Sequence, residues 1–139
     1  MRQGEAAFVD TGAWIALALA RDLLHSQARE QGRPLGCQRQ AAHVYPRRHR
    51  DLPFTFLDRN TNRNVALAWK ESINKPRTLR ILPCDLHDLD ASWPYFRRHA
   101  LHKLSAVDAT TFAIMKRAGI RVAFAFDHHF AVAGFRLVA

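Results

Sequence analysis

Three aspartates stand at comparable places along the chain, each after an apolar strand or at the start of a helix. Asp10 follows the apolar run Ala6 to Val9, Asp108 lies in the helical segment "LSAVDATTFAIMKRAGI", and Asp127 follows the apolar run "VAFAF". Helix capping would explain any one of them. Clustered carboxylates repel one another, however, and a divalent cation is the usual way to offset that repulsion. The pattern therefore predicts a site for Mg²⁺ or Mn²⁺, which prefer hard oxygen ligands.

The chemistry that such a site suggests is phosphodiester hydrolysis, in which the cation activates a water molecule and neutralises charge on the phosphate. The chain has 21 Lys and Arg against 12 Asp and Glu, a formal charge of +9. This charge favours contact with a polyanion such as nucleic acid, or with an acidic protein. A basic surface that only keeps the protein soluble is the alternative.

The elements that must position these acids alternate between strands and helices. Strands are predicted over Ala6 to Val9 and in "TLRILP", "RVAFAFD" and "FRLV", the last as an edge strand. Helices are predicted in "GAWIALALARD", in "LLHSQAREQGRP", from Asn62 to Ile73, in "DLHDLDASWPYFRRHA" with a kink or a break at Pro94, and in "KLSAVDATTFAIMKRAGI". This alternation predicts a parallel sheet with helices on both faces. Functional sites of such sheets lie at the carboxyl ends of the strands, where Asp10 and Asp127 fall.

Several local features support more specific expectations. Ser105 and Asp108 form a capping pattern, and Gly119 is expected to end their helix. Gly32 and Pro34 are expected to end the second helix. Val65, Leu67, Ala68 and Trp69 are expected on one side of their helix, and Trp14, Trp69 and Trp93 in the core.

The size and composition fit one soluble domain. A chain of 139 residues can bury a core without disulfides, and Cys37 and Cys84 fit neither a zinc site nor a disulfide framework. The first residues lack the apolar core of a signal peptide, and the most apolar stretch, Trp14 to Ala20, is too short to cross a membrane. We therefore expect a soluble protein of the cytoplasm, with no membrane partner.

Three segments together resemble one family. "FVDTGAWIALALARDLLHSQA" resembles the opening of a PIN domain, "LSAVDATTFAIMKRAGI" its third acidic motif and "AFAFDHHFAVAGF" its fourth. The order and spacing agree over nearly the whole chain, and the resemblance is to small bacterial toxins of the VapC type.

The resemblance implies one PIN-like domain over residues 1–139, folded as a three-layer α/β/α sandwich with a central parallel sheet. It implies a Mg²⁺- or Mn²⁺-dependent endoribonuclease that leaves a 5′-phosphate and a 3′-hydroxyl. It also implies a toxin that pairs with a cognate antitoxin and forms a homodimer. By the same resemblance Asp10, Asp108 and Asp127 are the catalytic, metal-holding acids, and Thr11 helps to hold the site.

Residues 36–52 depart from the family pattern. The family has an acid, usually a glutamate, where this chain has Leu52, and the nearest acid is Asp51. One position along a helix is a rotation of roughly 100°, so Asp51 is either a further metal ligand or a helix cap beside Pro53. Residues 36–50 contain four arginines and two histidines and are poor material for a buried strand. Either a basic RNA-contacting insertion or a local reading-frame error would explain this.

Other candidates carry less weight. His128 and His129 beside Asp127 are either metal ligands or, more commonly, surface and packing residues. Arg47 to Arg50, "RRHR", either binds phosphate or is a solvated loop. Ser26 and Ser72 have no base in a recognised motif, so nucleophilic catalysis has no support.

Two other functions compete with the metal-dependent endoribonuclease. This chain has Leu52 where the family has an acid, and the loss of that acid would fit a catalytically impaired PIN fold that only binds RNA or an antitoxin. The positive charge would serve a nuclease for DNA or structured RNA equally well, because the phosphate backbone dominates attraction to all of them.

Overall fold

The computed structural model describes residues 5–37, 41–44, 51–74 and 79–138. Its strands are β1 (Ala7–Val9), β2 (Ala41–Val44), β3 (Leu79–Leu82), β4 (Val122–Phe124) and β5 (Arg136–Leu137). Its helices are α1 (Thr11–Ala18), α2 (His25–Cys37), α3 (Asp51–Asn60), α4 (Arg63–Asn74), α5 (Leu86–Phe96), the 3-10 helix η1 (His99–Leu101), α6 (Ala106–Arg117) and α7 (His129–Val132). The predicted alternation of strands and helices is confirmed.

The five strands form one parallel sheet in the order β3-β2-β1-β4-β5. The central strand β1 pairs with β2, where Ala7 lies opposite Ala41, and with β4, where Ala7 lies opposite Val122. Because β1 and β4 are neighbours and parallel, the residues that follow their carboxyl ends meet at one edge of the sheet.

Alternate side chains of these strands pack into two separate cores, one on each face of the sheet. Phe8 and Ala123 contact the cluster that contains Phe112 and Met115 of α6. Val9 and Phe124 contact the cluster that contains alanines of α1 and α2. Helices therefore cover both faces, and the predicted three-layer α/β/α sandwich is confirmed.

A third apolar cluster joins α3 and α4 to α1. Its buried members are Leu57, Ala66, Trp69 and Ile73. Trp14 packs against the cluster, with its ring and that of Trp69 nearly perpendicular at 76°. The prediction that Trp69 belongs to the core is confirmed. The predicted face of α4 is wrong in part, because Leu67 and Ala68 are exposed and Ala66 takes the buried position.

Residues 36–50 look like poor material for a strand by their composition, yet β2 lies within them and pairs with both β1 and β3. Its short sequence "AAHV" has little strand signal of its own, so its pairing with two neighbouring strands determines its conformation. The stretch Arg47 to Arg50 lies outside the described residues. The two explanations offered for the unusual composition stay predictions.

Helix α2 continues past its predicted end, whereas helix α1 stops short of its own predicted end. Gly32 lies inside α2, which reaches Cys37, so the expectation that Gly32 and Pro34 end the helix is wrong. A Cβ on Gly32 would lie 3.3 Å from Cε1 of Phe124, which shows that glycine serves close packing of α2 here. Helix α1 ends at Ala18, four residues before the predicted Asp22.

Helix α6 has a clear signal at each of its two ends. Ser105 is the N-cap of α6 and accepts a hydrogen bond from the backbone N–H of Asp108. Beyond the other end Gly119 has φ +70°, a conformation that favours glycine, so the predicted limits of this helix are confirmed. Pro94 lies inside α5 and does not break it, because the helix continues for two more residues to Phe96. Within the described ranges, no helix has the length and apolar character needed to cross a membrane.

Candidate active site

The first candidate acid, Asp10, caps α1 at the end of β1. Its Oδ2 accepts a hydrogen bond of 3.1 Å from the backbone N–H of Gly12. Its own N–H donates to the carbonyl oxygen of Phe124 at 3.0 Å, which holds the end of β1 against the end of β4. A Cβ on Gly12 would lie 3.2 Å from Oδ2 of Asp10, so the glycine leaves room for the carboxylate. Thr11, which begins α1, contributes a further backbone N–H near the same carboxylate.

The second candidate acid, Asp108, is in the first turn of α6. The hydroxyl of Ser105 donates a hydrogen bond of 2.6 Å to Oδ2 of Asp108 and accepts one of 3.0 Å from the Asp108 N–H. The predicted capping pattern is therefore present. The side chain of Asp108 contacts the Ser105 hydroxyl, however, and not the Ser105 backbone N–H that a full capping box would use.

The third candidate acid, Asp127, lies between β4 and α7 and is partly exposed. Its Oδ1 accepts a hydrogen bond of 2.9 Å from the backbone N–H of His129. The Nδ1 atom of His129 lies 3.0 Å from the same oxygen but lacks the alignment of a hydrogen bond. The Nε2 atom of His129 lies 3.0 Å from the carbonyl oxygen of His102. His129 thus joins the Asp127 loop to the turn that precedes α6.

The three carboxylates lie close enough together for their charges to interact. The pKa of Asp10 is raised from 3.8 to about 6, mainly by burial and also by the charges of Asp108 and Asp127, which together outweigh the backbone hydrogen bonds that lower it. Burial also raises the pKa of Asp108, with a further contribution from the charge of Asp127. Across the described ranges, no Lys or Arg forms an ion pair with any of the three. The structure therefore brings together the three acids that the sequence selected.

Asp88, a buried acid outside the candidate site, shows how a structural carboxylate differs. Asp88 is 1% exposed, and Arg117 holds it with hydrogen bonds of 2.7 Å from Nε and 3.0 Å from a terminal nitrogen. Burial acts to raise the pKa of Asp88, but the Arg117 guanidinium and the Asp85 backbone N–H outweigh it and leave the pKa below its usual value. Asp10 and Asp108 lack such a basic partner among the described side chains, so negative charge accumulates at their site.

This accumulated charge fits a divalent cation. Asp10 and Asp108 supply hard oxygen ligands whose raised pKa values a bound cation would lower again. Asp127, His128 and His129 offer ligand atoms that all lie within 4.8 Å of one another. Both histidines approach Oδ1 of Asp127, His128 at 3.4 Å and His129 at 3.0 Å, but only His129 is buried. This difference in burial could not be deduced from the doublet "HH" alone.

The fourth candidate acid, Asp51, is the first residue of α3. The placement of its side chain lies outside the described part of the chain, as does that of Leu52 at the unmatched family position. Whether Asp51 is a ligand or a cap therefore stays a prediction.

A parallel sheet between two helical layers, with acids gathered at the carboxyl ends of neighbouring strands, is the architecture expected of a PIN-domain nuclease. No protein-family model matches the chain. The chain is 32% identical over 130 residues to the 23S rRNA-specific endonuclease VapC20 of Mycobacterium tuberculosis, in strains CDC 1551 and H37Rv. The match covers 92% of this chain and 94% of that protein.

A solved structure agrees with this relationship. The crystal structure of Mycobacterium tuberculosis VapC20, a sarcin-ricin loop cleaving toxin, superposes with a TM-score of 0.77 at 29% identity. It covers 93% of this chain and 95% of the other. The chain therefore belongs to the VapC-type PIN-domain ribonucleases.

Proposed function

We propose that this protein is a Mg²⁺- or Mn²⁺-dependent endoribonuclease whose metal-holding acids are Asp10, Asp108 and Asp127. The observation that carries the proposal is the gathering of these carboxylates without an ion pair to any Lys or Arg among the described residues. The whole chain, 1–139, acts as one PIN-like domain in this proposal, and its charge of +9 attracts the RNA backbone.

Each acid has a distinct support in the chain. Asp10 is fixed by the Gly12 N–H, Asp108 by the Ser105 hydroxyl, and Asp127 by the backbone N–H of His129. When bound, the cation would activate water for attack on the phosphorus and neutralise charge on the phosphate. The partly buried position of Asp10 would strengthen these electrostatic interactions by limiting the access of water.

The substrate class that we propose is ribosomal RNA of the large subunit. The VapC20 proteins are named for cleavage of 23S rRNA, and the solved VapC20 for cleavage of the sarcin-ricin loop. Extension to this chain is supported by the length of the match, which leaves little of either protein uncovered. The expected products carry a 5′-phosphate and a 3′-hydroxyl.

The protein partner that we propose is a cognate antitoxin in the cytoplasm. The strong positive charge of the chain favours a partner with an acidic binding segment. The product of the adjacent gene should therefore copurify with this protein and inhibit its nuclease activity at equimolar amounts.

A second copy of this chain is the other proposed partner. Helix α5 exposes four apolar side chains at helical spacing, Leu86, Leu89, Trp93 and Phe96, with Leu86 78% and Trp93 62% exposed. If two copies of α5 pack antiparallel about a two-fold axis, Leu86 meets Phe96 of the other copy and Leu89 meets Trp93. Asp85 then lies beside Arg97 of the other copy, so the charges at the two ends of the helix are complementary.

Cleavage of purified ribosomal RNA tests the proposed activity. Wild-type protein should cut it with Mg²⁺ or Mn²⁺, and both excess chelator and Asp108→Asn should abolish cutting. Asp51→Asn should reduce activity if that carboxylate replaces the unmatched acid at Leu52, and leave it unchanged if Asp51 is a cap. Cleavage that survives the chelator or Asp108→Asn would refute the metal-carboxylate mechanism.

The same assay separates the competing functions. A wild-type protein that binds RNA and never cuts it, at any cation concentration, would be the impaired binding module instead. Preferential cutting of single-stranded or duplex DNA in a mixed-substrate assay would identify a deoxyribonuclease.

A further inference from the structure

The turn between η1 and α6 places a lysine in a conformation that glycine normally occupies. The Leu104 N–H donates to the carbonyl oxygen of Leu101 at 3.3 Å, His102 has φ −59° and ψ 147°, and Lys103 has φ +58°. These angles are those of a type II β-turn, whose third residue is usually Gly or Asn. With a Cβ, Lys103 is strained in this conformation.

Contacts on both sides attach this turn to the candidate active site. The His102 carbonyl oxygen lies 3.0 Å from Nε2 of His129, the residue that contacts Asp127. Two residues after Lys103, Ser105 donates its hydroxyl hydrogen bond to Asp108. Because the flanking leucines 101 and 104 are buried, the exposed tip of the turn is held next to the site.

The segment that ends in this turn is basic throughout. Residues 97–103 read "RRHALHK", with two arginines, two histidines and a lysine but no acid, and all except Leu101 are exposed. Arg98 donates to the carbonyl oxygen of Val132. Lys103 forms no ion pair with any other described residue, so its charge is available to a ligand.

We propose that Lys103 binds a backbone phosphate of the RNA substrate beside the carboxylate site. Glycine or asparagine would satisfy the turn at a lower conformational cost, but neither would supply a charge. The proposal rests on the endoribonuclease function above. It makes Lys103 a substrate-binding residue that acts on affinity and is not involved in the chemical step.

The test compares four variants. Lys103→Gly and Lys103→Asn suit the turn without the charge, Lys103→Arg keeps the charge, and Lys116→Ala removes an exposed lysine near the other end of α6. The two uncharged variants should raise KM about five- to tenfold with kcat within about twofold. In an Asp10→Asn background, which prevents cutting, they should reduce the slope of log Kd against log salt by about 0.7 to 1. Lys103→Arg should restore most of the affinity, and Lys116→Ala should change neither quantity.

Thermal unfolding separates binding from a structural role. Lys103→Gly should unfold at or above the wild-type temperature because the strain is relieved, whereas a purely structural role predicts a lower temperature with kcat and KM both impaired. Wild-type KM and salt slope in Lys103→Gly, or equal effects of Lys103→Gly and Lys116→Ala, would overturn the proposal while leaving the endoribonuclease function intact. A wild-type protein that neither binds nor cuts RNA would refute that function instead, and this proposal with it.

Discussion

The hydroxyl of Ser105 donates a hydrogen bond of 2.6 Å to Oδ2 of Asp108, and it accepts the Asp108 N–H at 3.0 Å. One residue thus caps α6 and orients a candidate metal-holding carboxylate. Helix α5 shows the ordinary alternative, because there Asp88 accepts its hydrogen bond from the backbone N–H of Asp85 in a full capping box. The direction of the Asp108 side chain therefore depends on the Ser105 hydroxyl.

Ser105→Ala should lower both stability and activity, whereas Ser105→Thr should retain most of each. Loss of an N-cap costs about 1 kcal/mol of unfolding free energy. Loss of a group that orients a metal ligand typically costs about 10- to 100-fold in metal affinity or activity. Urea denaturation and cation titration of RNA cleavage measure the two effects separately.

Asn62→Ala is the matched control, since Asn62 accepts the Val65 N–H at 3.0 Å at the start of α4 and lies in another part of the fold. It should cost similar stability without a change in cation dependence. Equal losses of cleavage in Ser105→Ala and Asn62→Ala would show that Ser105 does not orient Asp108.

Asp10→Asn should abolish cleavage and stabilise the metal-free protein. Burial raises the pKa of Asp10 from 3.8 to about 6, with smaller contributions from Asp108 and Asp127, so the ionised carboxylate destabilises the fold at neutral pH. A shift of this size corresponds to about 3 kcal/mol. Chemical denaturation with chelator present should therefore show a more stable variant at pH 7.5.

The stability that Asp10→Asn gains over wild type should increase with pH. The pKa of Asp10 is higher in the folded than in the unfolded protein. Its favourable contribution to the stability of wild type is therefore fully present below pH 3.8 and is lost as the pH rises through about 6. The stability difference between Asp10→Asn and wild type should be largest above pH 6 and shrink towards pH 4. A difference that is constant across this range would mean that Asp10 is not the titrating group. Saturating Mn²⁺ should stabilise wild type more than the variant.

Arg117→Ala should destabilise the protein by about 2 to 3 kcal/mol, because it leaves the buried Asp88 carboxylate unpaired. Although burial opposes it, the Arg117 guanidinium keeps the pKa of Asp88 below its usual value, so the contribution of this carboxylate is present above about pH 4. It is lost as the pH falls through the lowered folded-state pKa. The stability difference should therefore narrow in acid, where wild type loses a stabilising carboxylate; the ionised carboxylate of Asp10, by contrast, destabilises the fold.

Asp88→Asn in the Arg117→Ala background is the control, because the amide can keep the helix cap without a buried charge. It should recover part of the lost stability. RNA cleavage by folded protein should be unchanged in all these variants, and a large drop in kcat would show that the pair acts on the active site.

The sequence predicted the layers and the edge where the acids meet, because apolar runs and helical spacing are local signals. It could not predict β2, whose "AAHV" becomes a strand through pairing with β1 and β3. It could not predict that α2 continues through Gly32, since that depends on the nearby ring of Phe124. The closeness of Asp108 to the other acids likewise arises from the chain topology.

The expectation that Trp93 belongs to the core is wrong for a similar reason. Trp93 lies on an apolar stripe of correct helical spacing, but α5 turns that stripe outward and buries Asp88 and Ser92. Burial of Asp88 depends on Arg117, which is 29 positions away in the chain. No pattern within one helix reveals a partner at that distance.

The exposed apolar side chains of α5 support a further prediction. Trp93→Glu should convert a homodimer into monomers. A charge at the centre of an antiparallel α5 pair would meet the apolar side chain of Leu89 from the other copy, and its desolvation opposes association. Arg97→Glu should weaken the dimer less, by placing a like charge beside Asp85 of the other copy. Sedimentation equilibrium over a concentration series measures both. Leu67→Glu, which changes an exposed leucine of α4, should leave the dimer intact. A wild-type protein that is monomeric at every concentration, or a Trp93→Glu dimer as tight as wild type, would show that α5 is not the interface.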